Sequence, residues 1–508
     1  MTYDPPPRGD PPGRLRRDRG RNLRGRDSGG LGTRAALALA AVLVAARLLA
    51  TGALAGSGSE RSVSVVASAS PTGLTAGVGG ASPAGGPSDA GPTPASSGAP
   101  GSSAGSAPPH DPSLDPSPSA PGSSPDPGST QPPPDTSIPS GSLQAKLDAA
   151  RARLRIPGVT VAILWDDGRE WLGASGLRDV AANDPMTTGT ALGLASVSKT
   201  LTAAVVLQLV DEGKLALDEP VAPLLPEYVL DKRITVRMLL DHTSGLPDFF
   251  LNPKIDGALR RAPDATWTAA DALAYVPKGH PAPGKRWIYS NTNYLLLGEL
   301  VQRTTGRPIA VEIRDRLLTP LDLEQAWYQA VEKPRAPGAV AYRVLAGPAG
   351  KERYVPVAKT SDVMPFRSVV TAAGGAGSIA ATALDAARWM RAWAGGQELS
   401  PALERQVLAD VGRTARLHAR IPYGLGIQAL PIAGRPALGH SGRYLGIRNV
   451  VRYLPGEGVT IAVLTNQSVA DPTRIATALL KVILPPLPPK PGARPSPGAT
   501  ASPAAAYP

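Results

Sequence analysis

The sequence predicts an α/β fold of the α+β kind. It has one antiparallel sheet of about five strands drawn from both ends of a single domain, flanked by helices, with an all-helical subdomain between. Three observations predict it. Val159 to Trp165 (Val-Thr-Val-Ala-Ile-Leu-Trp) is an apolar, β-branched run ending at Asp166-Asp167-Gly168, a hairpin turn signal. Near the other end, Ala437 to Gly442, Ile447 to Tyr453 and Val459 to Thr465 read as three further strands. From Ser196 to about Leu323 the intervening pattern is helical. Strands at both ends with helices between them bury their apolar faces by meeting in one sheet.

Each element has its own signal. Leu143 to Leu154 alternates apolar and charged residues at helical spacing. Trp171 to Ala174 supplies the return strand of the first hairpin. The run beginning at Ser196 stays apolar along its length and stops near Gly213, a helix-ending residue. Asn293 to Val301 is an amphipathic helix that follows Pro283-Gly284. The last two strands join across Pro455-Gly456-Glu457-Gly458, and a final helix covers about Pro472 to Ile483. No internal repeat is present.

Composition limits how much of the 508 residues belongs to this domain. The chain holds 55 Gly and 56 Pro, concentrated with Ser and Ala in two places. Residues 56–141 contain almost no aliphatic or aromatic residues after Val66, so they bury too little apolar surface to offset their ordering entropy and read as a disordered linker. Residues 485–508 read as a disordered Pro-rich tail. The folded domain is therefore expected at 142–484.

The formal charge of +12 is uneven: residues 1–34 carry nine Arg against four Asp. An apolar stretch at 35–55 follows at once, so the basic arm reads as the cytoplasmic flank of a membrane anchor or signal segment rather than as a nucleic-acid binder. Ala53-Leu54-Ala55 resembles a cleavage site, while the full 21 residues are long enough to span a bilayer. Either reading exports the domain, as a cell-membrane protein or a secreted one. A linker of this length has a reach of roughly 50 Å. The absence of cysteine excludes disulfides, a thiol nucleophile, thiolate metal sites and a lipoprotein anchor. The five histidines (110, 242, 280, 418 and 440) show no metal-ligand spacing, and neither a metal nor another cofactor is expected.

Three short motifs carry the chemistry. Ser196-Val-Ser-Lys199 places a hydroxyl and an amine three residues apart at a helix start, on one helix face. Free N–H groups there favour developing negative charge, and burial lowers a lysine's pKa so that it can accept a proton. Of the chain's twelve lysines only Lys199 has a serine three positions earlier. Tyr289-Ser290-Asn291 is the chain's single Tyr-x-Asn and lies in a loop. A phenol near an ammonium loses its proton more easily, so Tyr289 is a candidate base for Ser196 and acid for a leaving group. Asn291 can donate to a substrate carbonyl. His440-Ser441-Gly442 ends a strand, where an edge can pair with an extended substrate and glycine permits close approach. Lys490-Pro-Gly492 is rejected as a rival because Pro491 has no N–H.

The order of these motifs resembles the β-lactamase-related serine hydrolases, the penicillin-recognising enzymes. The Streptomyces-type D-alanyl-D-alanine carboxypeptidases are most similar, since their third motif also begins with His. Asp241 to Leu246 (Asp-His-Thr-Ser-Gly-Leu), Tyr423-Gly-Leu-Gly426 and Ala373 to Gly377 fit the same pattern. The resemblance implies a β-lactamase/transpeptidase-like fold and an acyl-enzyme on Ser196. It further implies a proton relay of Lys199 and Tyr289, an oxyanion hole from the N–H groups of Ser196 and Arg443, and a carboxylate contact from Ser441. His242 is expected to be structural. One departure stands out: where the carboxypeptidases carry a carboxylate-binding arginine, this chain has Gln428, with Arg435 or Arg443 as candidate replacements.

The implied function is an exported serine hydrolase acting on D-alanyl-D-alanine peptides of peptidoglycan, from a monomeric catalytic domain with no nucleic-acid partner. A small-molecule esterase or β-lactamase-related amidase is the competing enzyme. A penicillin-binding sensor or inactive scaffold is the competing non-enzyme.

Overall fold

The computed structural model describes residues 138–487 apart from 347–351, 359–361 and 418. The basic arm, the anchor or signal segment, nearly all of the linker and most of the tail lie outside the described residues. Helix α1 (Ser140–Leu154) leads into strands β1 (Gly158–Trp165), β2 (Glu170–Asp179), β3 (Asp184–Pro185) and β4 (Leu192–Gly193). A 3-10 turn (Ala195–Val197) opens α2 (Ser198–Asp211). Then come α3 (Val236–Leu240), α4 (Ile255–Arg261), α5 (Ala269–Leu273), α6 (Asn291–Thr305) and α7 (Ile309–Ile313). These are followed by β5 (Trp327–Tyr328), β6 (Tyr342–Ala346), β7 (Glu352–Pro356), α8 (Arg367–Ala373), β8 (Ile379–Ala381), α9 (Ala383–Gly395) and α10 (Pro401–Arg416). The domain closes with β9 (Gln428–Ala429), β10 (Leu438–Tyr444), β11 (Ile447–Leu454), β12 (Val459–Thr465) and α11 (Thr473–Ile483).

The two ends of the domain meet in one sheet. β1 runs antiparallel to β12, from Val159 opposite Thr465 to Trp165 opposite Val459. The strand order is β3-β2-β1-β12-β11-β10-β9, seven strands rather than about five. The two extra strands, β3 and β9, are two residues each and too short to leave a period in the sequence. A second small sheet, β4-β8-β5, escaped the sequence reading for the same reason. The expected helical run resolves into six helices between Ser198 and Ile313, broken by loops.

Every residue of β1 is buried because helices cover both faces of the sheet. On the outer face Val159, Val161 and Ile163 pack with Leu143 and Leu147 of α1 and Ile475 and Leu479 of α11. On the inner face Ala162 and Leu164 join α2, α6 and α9 in the larger core. Burying each such aliphatic side chain contributes about 1.5–3 kcal/mol. α2 ends as its sequence predicts: Gly213 takes φ +70° and Lys214 N–H returns to the Leu209 carbonyl at 2.9 Å.

Candidate active site

Ser196 sits on the 3-10 turn that feeds α2, one residue after Ala195, whose φ of +51° is unusual for a side chain with a Cβ. The hydroxyl thus lies at the helix start that the sequence predicts, on a 3-10 turn that runs directly into α2. Lys199, one turn on, is fully buried. Its Nζ reaches Ser196 Oγ at 3.1 Å, Asn291 Oδ1 at 2.7 Å and the Ala376 carbonyl at 2.8 Å. Burial drives its pKa down to about 7, against the pull of the Asp248 charge.

Tyr289 completes the group: Lys199 Nζ lies 5.2 Å from its ring centroid. Burial raises the phenol's pKa, and the Ser196 hydroxyl beside it works in the opposite direction. Tyr289 thus holds its proton more tightly than a free phenol, where the sequence alone led to a phenol readied as a base. Lys199 is the group poised to accept a proton near neutral pH, and Tyr289 holds one to donate.

Two side chains expected on the substrate have partners within the chain. Asn291 takes the Lys199 amine on its oxygen and gives its amide hydrogen to Asp248 Oδ2 at 2.7 Å. His440 has Nδ1 2.7 Å from the Ser441 carbonyl and Nε2 3.0 Å from the Tyr423 hydroxyl. A carbonyl accepts only, so the hydrogen sits on Nδ1 and Tyr423 donates to Nε2. Burial holds this imidazole neutral, its pKa well below the ordinary histidine value. His242, expected to be structural, is also buried. It accepts the Ser290 N–H at 3.2 Å on Nδ1 and lies 4.3 Å, centroid to centroid, from Tyr289, so it shapes the loop that aims the phenol.

β10 brings the third motif to this group. β9 covers only Leu438 and Gly439 of β10, leaving the edge beyond them open. A Cβ on Gly442 would fall 2.1 Å from the Leu194 carbonyl, so only glycine lets β10 pack onto the Ser196 turn. Ser441 N–H donates toward the open edge, to Gln428 Oε1 at 3.1 Å. Alternation along the strand turns the Arg443 N–H to that same edge two residues on. The Arg443 side chain itself is exposed.

Arg435 is held by Glu457 and the Pro485 carbonyl. A third arginine, Arg452 of β11, lies beside Gln428. Gln428, Gly439 and Arg452 form one row across the sheet, and the absence of a side chain on Gly439 clears a path over β10. Through that gap Arg452 Nη2 reaches Gln428 Oε1 at 2.8 Å and Ser441 Oγ at 2.9 Å. Arg452 is 3% exposed, burial drives its pKa down to about 9, and no acidic side chain among the described residues pairs with it. The available signal was a second arginine on the strand that follows the third motif, set between Val451 and Tyr453.

No group of acidic and histidine side chains able to hold a metal occurs among the described residues. A family model described as Beta-lactamase matches residues 143–483. The chain belongs to that family. This beta-lactamase-family domain is a serine hydrolase. It is 33% identical over 358 residues to penicillin-binding protein 4 of Amycolatopsis lactamdurans, covering 67% of this chain and 88% of that protein. It is 33% identical over 218 residues to Esterase EstB of Burkholderia gladioli, covering 39% of this chain and 55% of that protein. Among solved structures it resembles a D-stereospecific amidohydrolase from Streptomyces sp.. That match has a TM-score of 0.57 and 27% identity and covers 67% of this chain and 98% of the other.

Proposed function

We propose that the domain is a D-alanyl-D-alanine carboxypeptidase-like acyl hydrolase that cleaves before a terminal residue bearing a free carboxylate. One observation carries this reading: Arg452 presents at Ser441 a buried guanidinium that no acidic side chain among the described residues pairs with directly, Asp471 acting on it only at longer range. A buried cation without a direct ion-pair partner is costly, and a substrate carboxylate docking there supplies one. Neutral Lys199 takes the Ser196 proton as Oγ attacks the scissile carbonyl. The N–H groups of Ser196 and Arg443 receive the oxyanion. As the C–N bond breaks, Tyr289 protonates the leaving amine and recovers a proton through Lys199. Water then releases the acid from Ser196. The apolar segment at 35–55 would hold the domain outside the membrane, within reach of wall peptides.

A D-alanyl-D-alanine peptide, its C-terminal amide and a p-nitrophenyl ester assayed side by side test the proposal. Preference for the free carboxylate supports it. Ester turnover with no peptide turnover overturns it in favour of a small-molecule esterase, the reading that the likeness to Esterase EstB favours.

A further inference from the structure

Lys199 has an acidic neighbour that it never touches. Asp248, in the loop before α4, is 5% exposed. Its Oδ1 accepts the Phe250 N–H at 3.0 Å, and its Oδ2 accepts the Asn291 amide at 2.7 Å. The far side of that amide meets Lys199 at 2.7 Å. Three buried side chains therefore stand in line, carboxylate to amide to amine, with Asn291 2% exposed and Lys199 fully buried. An asparagine amide can be turned either way round, and turned the wrong way it would set N–H against the amine. Burial raises the carboxyl's pKa, while the Phe250 N–H, Lys199 and the Asn291 amide favour its ionised form. As a carboxylate it can only accept, so Asp248 selects one orientation.

We propose that Asp248 is a positioning residue that acts on acyl transfer through Asn291: its carboxylate fixes the amide with the oxygen toward Lys199, and its charge, one side chain away, holds the lysine's proton. This rests on Lys199 being the base for Ser196. The other groups facing Lys199 are neutral or oppose its charge. They are Ser196 on the 3-10 turn, Tyr289 in its loop, Tyr294 of α6 at 5.5 Å from ring centroid to Nζ, and the buried imidazoles of His242 and His440. Asp248 alone among them favours the ammonium. Desolvation pulls the lysine's proton affinity down, and Asp248 stops the fall near neutrality.

The arrangement predicts opposite shifts for two variants. Asp248→Asn keeps the shape and an acceptor for the Phe250 N–H but loses the charge, so Lys199 becomes neutral at lower pH. The acid limb of kcat/KM should move down by about one pH unit, tenfold in proton affinity. The double variant Asp248→Asn with Asn291→Asp moves the carboxylate against the amine, and the limb should move up instead. The full-length protein labelled with [ε-13C]lysine gives a readout that needs no substrate. The Lys199 resonance, identified by its loss in Lys199→Met, should titrate lower in the first variant and higher in the second.

A resonance that stays put in both folded variants overturns the proposal and leaves Asp248 as a cap for the turn at Phe249–Leu251. Should Asp248→Asn fail to fold, an unmoved resonance in the double variant has the same force. Shifted resonances in a protein inert toward peptide and ester would sustain the Asp248 assignment while sinking the proposed function.

Discussion

The outer face of the main sheet is packed largely with apolar side chains, among them Leu143, Leu147, Val161, Ile163, Ile475 and Leu479. On the inner side, also buried, lie Lys199, His242, Asn291, Asn293 and Asp248. Each polar group there needs a partner, and nearly all find one in another loop or helix: Ser244 with Asn293, Asn291 with Asp248, Lys199 with Ser196. The outer face obtains stability from shape and apolar area. The inner face spends part of that stability on groups poised to react. Substitutions on the two faces should therefore have separable effects.

The largest effect is expected at Ser196. Ser196→Ala should abolish covalent labelling by a fluorescent penicillin, slowing acylation by about 10³-fold or more. The thermal midpoint should barely move, since a hydroxyl beside a cleft contributes little to packing. Undiminished labelling would remove Ser196 as nucleophile and place the chemistry elsewhere on the inner side.

Next comes Arg452, which belongs by register to the outer row with Ile461 yet reaches the open edge of β10. Arg452→Gln should cut kcat/KM for a carboxylate-terminated peptide by about 10- to 100-fold, mostly through KM, by removing a charge-assisted contact. Turnover of a neutral ester should change less than threefold. Equal losses on both substrates would make Arg452 a packing residue of β11 and not part of the carboxylate site.

The pH dependence follows from Lys199. Its folded pKa of about 7 lies far below the usual lysine value because burial disfavours the charged form. A general base must be neutral, so kcat/KM should fall about tenfold per pH unit below 7 and level off above it. A flat profile from pH 5 to 8 would mean that Lys199 does not limit proton transfer.

How far the sequence disclosed this comparison depends on the length of each signal. β1, β11, β12 and α11 matched their expected ranges within two residues, because long apolar runs bounded by turns leave few alternatives. Ser196, Lys199 and Tyr289 were legible as rare residue combinations, and the fold does bring them together. Arg452 and Asp248 were not. Each acts across a distance that no spacing encodes: Arg452 through a row of three strands with a glycine in the middle, and Asp248 through an amide on α6. The roles expected for Asn291 and His440 rested on residue type, which gives the hydrogen bonds a side chain can make but not which neighbours take them. The two-residue strands were invisible for want of a period.

Leu147→Ala should have the smallest effect on activity and is the cleanest test of separability. Leu147 is fully buried on α1, its Cδ2 packed over Gly173 of β2. Truncation removes apolar contacts and leaves a cavity, at a cost of about 2–5 kcal/mol out of a domain's usual 5–15 kcal/mol. The urea midpoint should drop with the slope unchanged, since the surface exposed on unfolding is nearly the same. Leu147 packs in the outer apolar cluster, away from Ser196, Lys199 and Tyr289, so kcat at a permissive temperature should stay within twofold and the acid limb should not move. A displaced limb would show that the outer helices, acting through β1, help set the position of Lys199. The sheet would then be a coupled element and not a partition between the two faces.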